Sequence, residues 1–166
     1  MKKRNYKSRL ISIIAIGALL PLSAFAGSKT ATMNISMTVT PDCTIAAAPL
    51  SFGSGSVMKT AVTQQTNLSL TCTNTVPYQV ALDEGTVAGS TTATRLMTGS
   101  SSNTLQFNMY RDAGYTQVWG KTAGTDTYAG TGTGTLQTIP VYGQIPVQTN
   151  VAPDTFSTTI TATVSF

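Results

Sequence analysis

Histidine is absent from this sequence, and cysteine occurs only twice, at Cys43 and Cys72. Without an imidazole, neither a Ser-His-Asp nor a Cys-His arrangement can be assembled to activate a nucleophile. A metal site is equally poorly supplied, because two cysteines with no histidine and no second cysteine pair fall short of a tetrahedral ligand set. The remaining use of two thiols is a bond between them. In an exported chain an even cysteine count reads as a disulfide, and two cysteines allow a single pairing. Closing a loop of about 30 residues in this way contributes roughly 3–4 kcal/mol, if unstrained. Two free thiols are the competing reading.

Other residues that can carry chemistry have plainer uses. Asp83 and Glu84 are adjacent carboxylates, but Glu84-Gly85 follows an apolar alternating run and reads as a solvated turn. Gly130-Thr131-Gly132-Thr133-Gly134 resembles a phosphate-cradling loop, yet it lacks the P-loop lysine and no helix start follows, so a flexible surface loop is expected. Asn34-Ile35-Ser36 and Asn67-Leu68-Ser69 match the glycosylation pattern, but both lie inside strand-like segments. Trp119 and Tyr110 could stack on a sugar ring; packing in the core or along a strand edge is the expected role. No catalytic site, cofactor or metal is expected, and the chain reads as a non-enzyme.

The first residues distort the global composition. Lys2, Lys3, Arg4, Lys7 and Arg9 precede an apolar stretch at residues 10–20, then Pro21 and Ala24-Phe25-Ala26. That order is the pattern of a secretory signal peptide cleaved after Ala26. A retained anchor is the competing reading, but a spanning helix needs about 20 apolar residues. With residues 1–26 removed, Lys29, Lys59, Arg95, Arg111 and Lys121 oppose Asp42, Asp83, Glu84, Asp112, Asp126 and Asp154, for a net charge of −1. The basic character of the whole chain belongs to its leader. No basic patch is left for nucleic acid, and no stable membrane insertion is expected.

These residues must be positioned by strands. Thr is abundant, and its branched Cβ suits a pleated surface. Apolar residues alternate with polar ones at Leu68, Leu70 and Cys72, at Tyr78, Val80 and Leu82, and at Leu105, Phe107 and Met109. Pro41, Pro49, Gly53, Gly55, Pro77, Gly85, Gly89 and Gly99 punctuate these runs. Short strands between frequent turn signals predict an all-β sandwich.

The two ends of the chain carry alternation of their own. Phe156, Ile160, Ala162, Val164 and Phe166 share one parity, so the sequence stops on the inward face of a strand. Ala31, Met33, Ile35, Met37 and Val39 form another alternating set, before the first cysteine and separated from the domain by Pro41. A sandwich short of a strand at one end, with a spare strand at the other, describes a subunit that completes its neighbour. Exposed edges invite pairing with other chains.

An ordered set of short motifs then narrows the reading. Cys43, Leu50-Ser51-Phe52-Gly53, Leu68-Ser69-Leu70-Thr71-Cys72-Thr73, Arg95-Leu96-Met97, Met109-Tyr110-Arg111-Asp112, Trp119-Gly120 and Val141-Tyr142-Gly143-Gln144-Ile145-Pro146 follow one another along the chain. Together they resemble the spore coat protein U domain family, which includes the Csu-type pilins of the archaic chaperone–usher pathway. The likeness covers nearly all of residues 31–166. One departure is Phe156-Ser157-Thr158, where the family often has Tyr-x-Asp; this bears on local turn contacts.

The resemblance implies an incomplete immunoglobulin-like β-sandwich, completed by a donor strand from another subunit. It implies neighbouring pilin subunits, a periplasmic chaperone and an outer-membrane usher as partners, and export through the periplasm to a cell-surface pilus that supports attachment and biofilm formation. Residues 1–26 are then a signal peptide, 27–40 the donor-strand extension and 41–166 the pilin domain. Cys43–Cys72 becomes the family disulfide. The donor side chains are Ala31, Met33, Ile35, Met37 and Val39, and the acceptor strand carries Phe156, Ile160, Ala162, Val164 and Phe166. The alternatives are a small tip adhesin and a secreted coat protein that folds its own N-terminal strand into its groove.

Overall fold

The structure is a computed structural model that describes residues 26–55 and 59–166. The expected signal peptide lies outside these described residues except for Ala26. The chain divides into two units, Met1–Met37 and Thr38–Phe166. In the first, residues 26–37 are exposed and belong to no helix or strand. The alternation of Met33, Ile35 and Met37 is thus present in the sequence and absent from the burial, because a lone strand has no partner for its backbone groups.

The second unit is all-β, with eight strands and no helix among the described residues: β1 (Cys43–Ala47), β2 (Val62–Cys72), β3 (Pro77–Leu82), β4 (Arg95–Thr98), β5 (Thr104–Tyr110), β6 (Tyr128–Thr131), β7 (Gln137–Ile145) and β8 (Ala162–Ser165). They form a five-stranded sheet in the order β1-β2-β7-β5-β4 and a three-stranded sheet in the order β6-β3-β8. Every pairing is antiparallel.

The period-two runs read from the sequence supply much of the core. Leu68, Leu70 and Cys72 of β2, Tyr78, Val80 and Leu82 of β3, and Leu105, Phe107 and Met109 of β5 are all buried, and β7, not among those runs, adds Ile139, Val141 and Ile145. Gly143 shares that inward parity on β7 for a steric reason: a Cβ there would lie 2.5 Å from Leu50 Cδ2 and 2.8 Å from Phe52 Cζ. The space belongs to Phe52, which packs edge-on against Phe107 with ring centroids 6.2 Å apart. Burying such aliphatic and aromatic side chains contributes about 1.5–3 kcal/mol each.

Three elements differ from the sequence reading. The Gly-Thr run is not a loose loop: Gly130 belongs to β6, opposite Tyr78 of β3, and a side chain at Gly130 or Gly132 would collide with the Tyr78 ring or with the Thr73 carbonyl. Glycine is needed there for close approach of backbones. β4 is a strand too short to announce itself by alternation. The C-terminal run is not one continuous strand either. Ser157 makes an isolated bridge to Thr98 of β4, on the five-stranded sheet, whereas β8 pairs with β3 on the other sheet. The segment crosses between sheets, so its pairing is interrupted even though its side-chain parity continues.

Candidate functional site

Each sheet ends in a strand that is bonded on one side only. β1 pairs with β2 and β8 with β3, and β1 and β8 are neighbours in space without a ladder between them. Their directions follow from the turns. Cys43 at the start of β1 lies opposite Cys72 at the end of β2, and β3 begins just beyond, at Pro77. This end of the domain is called the disulfide end below. β8 runs antiparallel to β3 and so finishes at the disulfide end, where β1 starts. The two open edges are therefore antiparallel.

The gap between these edges is apolar. Cys43 and Ile45 on β1 and Ala162 and Val164 on β8 pack against the core on either side of it, as do Leu50, Phe52, Val62, Phe156 and Ile160 on the neighbouring segments. All are only half-buried, whereas Leu70 on β2 and Val80 on β3, one strand further in, are 0% exposed. On the last segment Thr161, Thr163 and Ser165 are exposed, so the parity read from the sequence is kept, and Phe166 continues it at 55% exposure. The core is thus covered less completely along this edge than in its interior.

The disulfide secures one wall of the gap. Cys43 and Cys72 are bonded and stand opposite each other in the β1–β2 ladder, so the edge strand is tied covalently to the buried one. The chain enters this strand through a hydrogen-bonded junction. The Asp42 amide donates to Thr73 Oγ1 at 3.1 Å, the Thr73 amide donates to the Asp42 carbonyl at 2.9 Å, and Asp42 Oδ1 accepts from the Cys43 amide at 2.9 Å. Thr73 thereby fixes the place at which the N-terminal segment leaves the domain. Beyond it, Met33, Ile35, Met37 and Val39 are 82%, 88%, 88% and 70% exposed, so each can still bury nearly a whole side chain.

The Spore Coat Protein U domain matches residues 29–163. This chain belongs to the Spore Coat Protein U domain family. Among its relatives, Protein U of Myxococcus xanthus is 28% identical over 176 residues, spanning 96% of this chain and 98% of that protein. Among solved structures, the chain is similar to a chaperone–tip adhesion subunit pre-assembly complex from the archaic chaperone–usher Csu pili of Acinetobacter baumannii. That structure superposes with a TM-score of 0.58 at 25% identity, over 78% of this chain and 40% of that one. The chain thus spans less than half the length of that structural neighbour.

Elsewhere in this Spore Coat Protein U domain, the residues singled out for chemistry are occupied with structure. Asp83 Oδ1 accepts from the amides of Gly85 and Thr161, and Glu84 pairs with Lys121 at 2.7 Å, which holds the Glu84 carboxyl below its usual range. Trp119 is fully buried and donates its indole N–H to the Val80 carbonyl at 2.8 Å. Tyr110 packs edge-on with Tyr115, which packs in the same way with Tyr142. Tyr115 has a φ of 55°, in the left-handed region. The Asp112 side chain holds that turn by accepting from the amides of Thr116 and Gln117. Among the described residues no three His, Cys, Asp or Glu side chains gather into a metal-binding group, and no helix is long and apolar enough to cross a membrane.

Sequence reasoning missed the most consequential polar residue. Arg95 is fully buried and uses all of its guanidinium nitrogens. Nε donates to the Asp83 carbonyl, Nη1 to the Thr92 carbonyl and Asn108 Oδ1, and Nη2 to the Leu82 and Trp119 carbonyls, at 2.7–3.1 Å. Burial pushes its pKa down to about 10, so it remains charged at neutral pH. The signal was available: Arg95 shares the inward parity of Met97.

Proposed function

We propose that this chain is a structural subunit of a chaperone–usher surface pilus, polymerising by donor-strand exchange and supporting surface attachment and biofilm formation. The observation that carries the reading is the half-covered apolar gap between the open edges of β1 and β8. A strand placed there would find backbone partners on both sides and an apolar floor. Family membership and the likeness to a subunit from a Csu pilus support this class over an enzyme.

The same chain offers the complementary piece. Residues 27–40 would act as the donor strand, with Ala31, Met33, Ile35, Met37 and Val39 facing into a neighbour's groove. Burying Met33, Ile35, Met37 and Val39 contributes on the order of 6–12 kcal/mol gross, before the cost of ordering the strand. A backbone ladder adds to this, as in other β-strand additions. Release requires the whole strand to unzip, so the joint can be durable without covalent links.

Strand direction determines whether a fibre can grow. The extension leaves its own domain at the disulfide end, beside Thr73. If it enters a neighbour antiparallel to β8, its last residues emerge at the opposite end of that neighbour. Each subunit then donates from one end and accepts at the other, a head-to-tail contact that repeats without closing. Parallel entry would bring two disulfide ends together and block propagation. Folding back into its own groove would also require the parallel orientation, through a reversal confined to Thr40, Pro41 and Asp42.

Before assembly, a periplasmic chaperone would cover the gap and an outer-membrane usher would pass the subunit outward, after removal of residues 1–26. The test is parity. Ile35→Asp and Met37→Asp place a charge in the groove and should abolish surface fibres seen by electron microscopy, while complexes with the chaperone still form. Asn34→Asp and Ser36→Asp point the other way and should leave fibres intact. Equal tolerance of both parities, or fibres that survive deletion of residues 29–39, would overturn the donor-strand assignment.

A further inference from the structure

Among the described residues of the folded unit, the large apolar side chains left exposed are Val39, Leu136, Val147 and Phe166. Val39 belongs to the donor set and Phe166 to the groove parity, which leaves Leu136 and Val147, 68% and 55% exposed, without an assignment. They flank β7 on either side. Gln137 of β7 pairs with Leu70 at the disulfide end, and Ile145 pairs with Val62 at the other. The nine residues of β7 separate them by about 30 Å, the length of the domain.

Both lie where neighbours must approach. Near Leu136, the Gly134 amide donates to the Cys72 carbonyl at 3.0 Å, and the adjacent Thr73 holds Asp42 where the extension leaves. Near Val147, Gln148 exchanges hydrogen bonds with the backbone of Gln106 at 3.0 and 2.8 Å, which fixes the segment beyond β7. Between Val39, the last donor side chain, and Cys43, the first residue of β1, stand only Thr40, Pro41 and Asp42. Three extended residues reach about 10 Å, so a donated strand draws the disulfide end of its own domain directly against the far end of the acceptor.

We propose that Leu136 of one subunit packs against Val147 of the subunit that accepts its strand, forming a second apolar contact between successive copies of this chain. This inference rests on the donor-strand reading and on antiparallel entry. The partner is a second copy because the short linker holds the end of the domain that carries Leu136 close to the end of the acceptor that carries Val147. The contact would bias the angle between successive domains and stiffen the fibre.

Cross-linking of assembled fibres tests it. The double variant Leu136→Cys, Val147→Cys, treated with a short bismaleimide, should give a ladder of dimers, trimers and longer oligomers on denaturing gels. Either single variant should give none. Fibres that assemble but yield no ladder would overturn the contact, as would dimers formed by Leu136→Cys alone. Should the cysteine pair fail to assemble, charge exchange decides: Leu136→Asp and Val147→Lys should each lower fibre yield several-fold, and the two together should restore it. A double variant no better than the worse single one would overturn the proposal. Failure of the underlying reading is distinguishable, because fibres would then survive Ile35→Asp.

Discussion

Arg95 Nη1 donates to Asn108 Oδ1 at 2.7 Å, and both residues are buried, on the neighbouring strands β4 and β5. Asn108 is held in turn by its Nδ2 bond to the Ala93 carbonyl at 2.7 Å. Through Arg95 Nη2 the pair also reaches the carbonyls of Leu82 and Trp119, so a single guanidinium links β4 to the end of β3 and to the Trp119 segment.

Replacing Arg95 by Met keeps much of the volume but leaves several buried carbonyls without donors. Each such group costs about 1–3 kcal/mol, so a total loss of roughly 3 kcal/mol or more is expected. Arg95→Lys retains the charge but cannot span five acceptors and should recover only part of that loss. Urea unfolding followed by Trp119 fluorescence measures both, since Trp119 is the sole tryptophan and is buried. An unchanged midpoint for Arg95→Met would refute the linking role.

The disulfide holds the β1 wall of the gap. Alkylation without reduction should modify neither cysteine, and alkylation after reduction should modify both, as read by intact mass. Cys43→Ser with Cys72→Ser frees a loop spanning 29 residues and should lower stability by about 3–4 kcal/mol. Periplasmic subunit yield should fall with it.

Gly132 lies where a Cβ would meet the Thr73 carbonyl oxygen and Cys72, neither of which can swing aside. Gly132→Ala should therefore cost about 1–3 kcal/mol through strain. Gly53→Ala has free space around it and pays only for its φ of +75°, so it should be milder. Equal urea midpoints for the two variants would show that the clash does not govern.

Two carboxylates make the fold sensitive to acid. Asp154 is held below the ordinary range chiefly by the Ser100 hydroxyl, then by the amides of Ser101 and Thr155; Asp112 is held there chiefly by the Gln117 amide. A depressed folded pKa means stability that is present above the unfolded value, near 4, and is lost as pH falls through the folded value. The urea midpoint should decline below about pH 4. Asp154→Asn and Asp112→Asn should flatten that decline, and an unchanged slope in the double variant would count against this origin.

What the sequence determined by itself is what depends on near neighbours along the chain. Side-chain parity on β2, β3 and β5 is a period-two property, so Leu70, Val80 and Phe107 are legible as core from the sequence. The pairing of Cys43 with Cys72 needed only a count of two. The parity of Phe156, Ile160, Ala162 and Val164 was legible in the same way. Tertiary structure decided what depends on residues far apart. Alternation cannot say which strands lie at the edges, so the gap between β1 and β8 emerged only from sheet order. Gly130 and Gly132 looked like a loop because the Tyr78 ring and the Thr73 carbonyl that exclude side chains there come from a distant strand and turn. The role of Arg95 was not legible because its five acceptors are spread from Leu82 to Trp119, and only the tertiary fold brings them around one guanidinium.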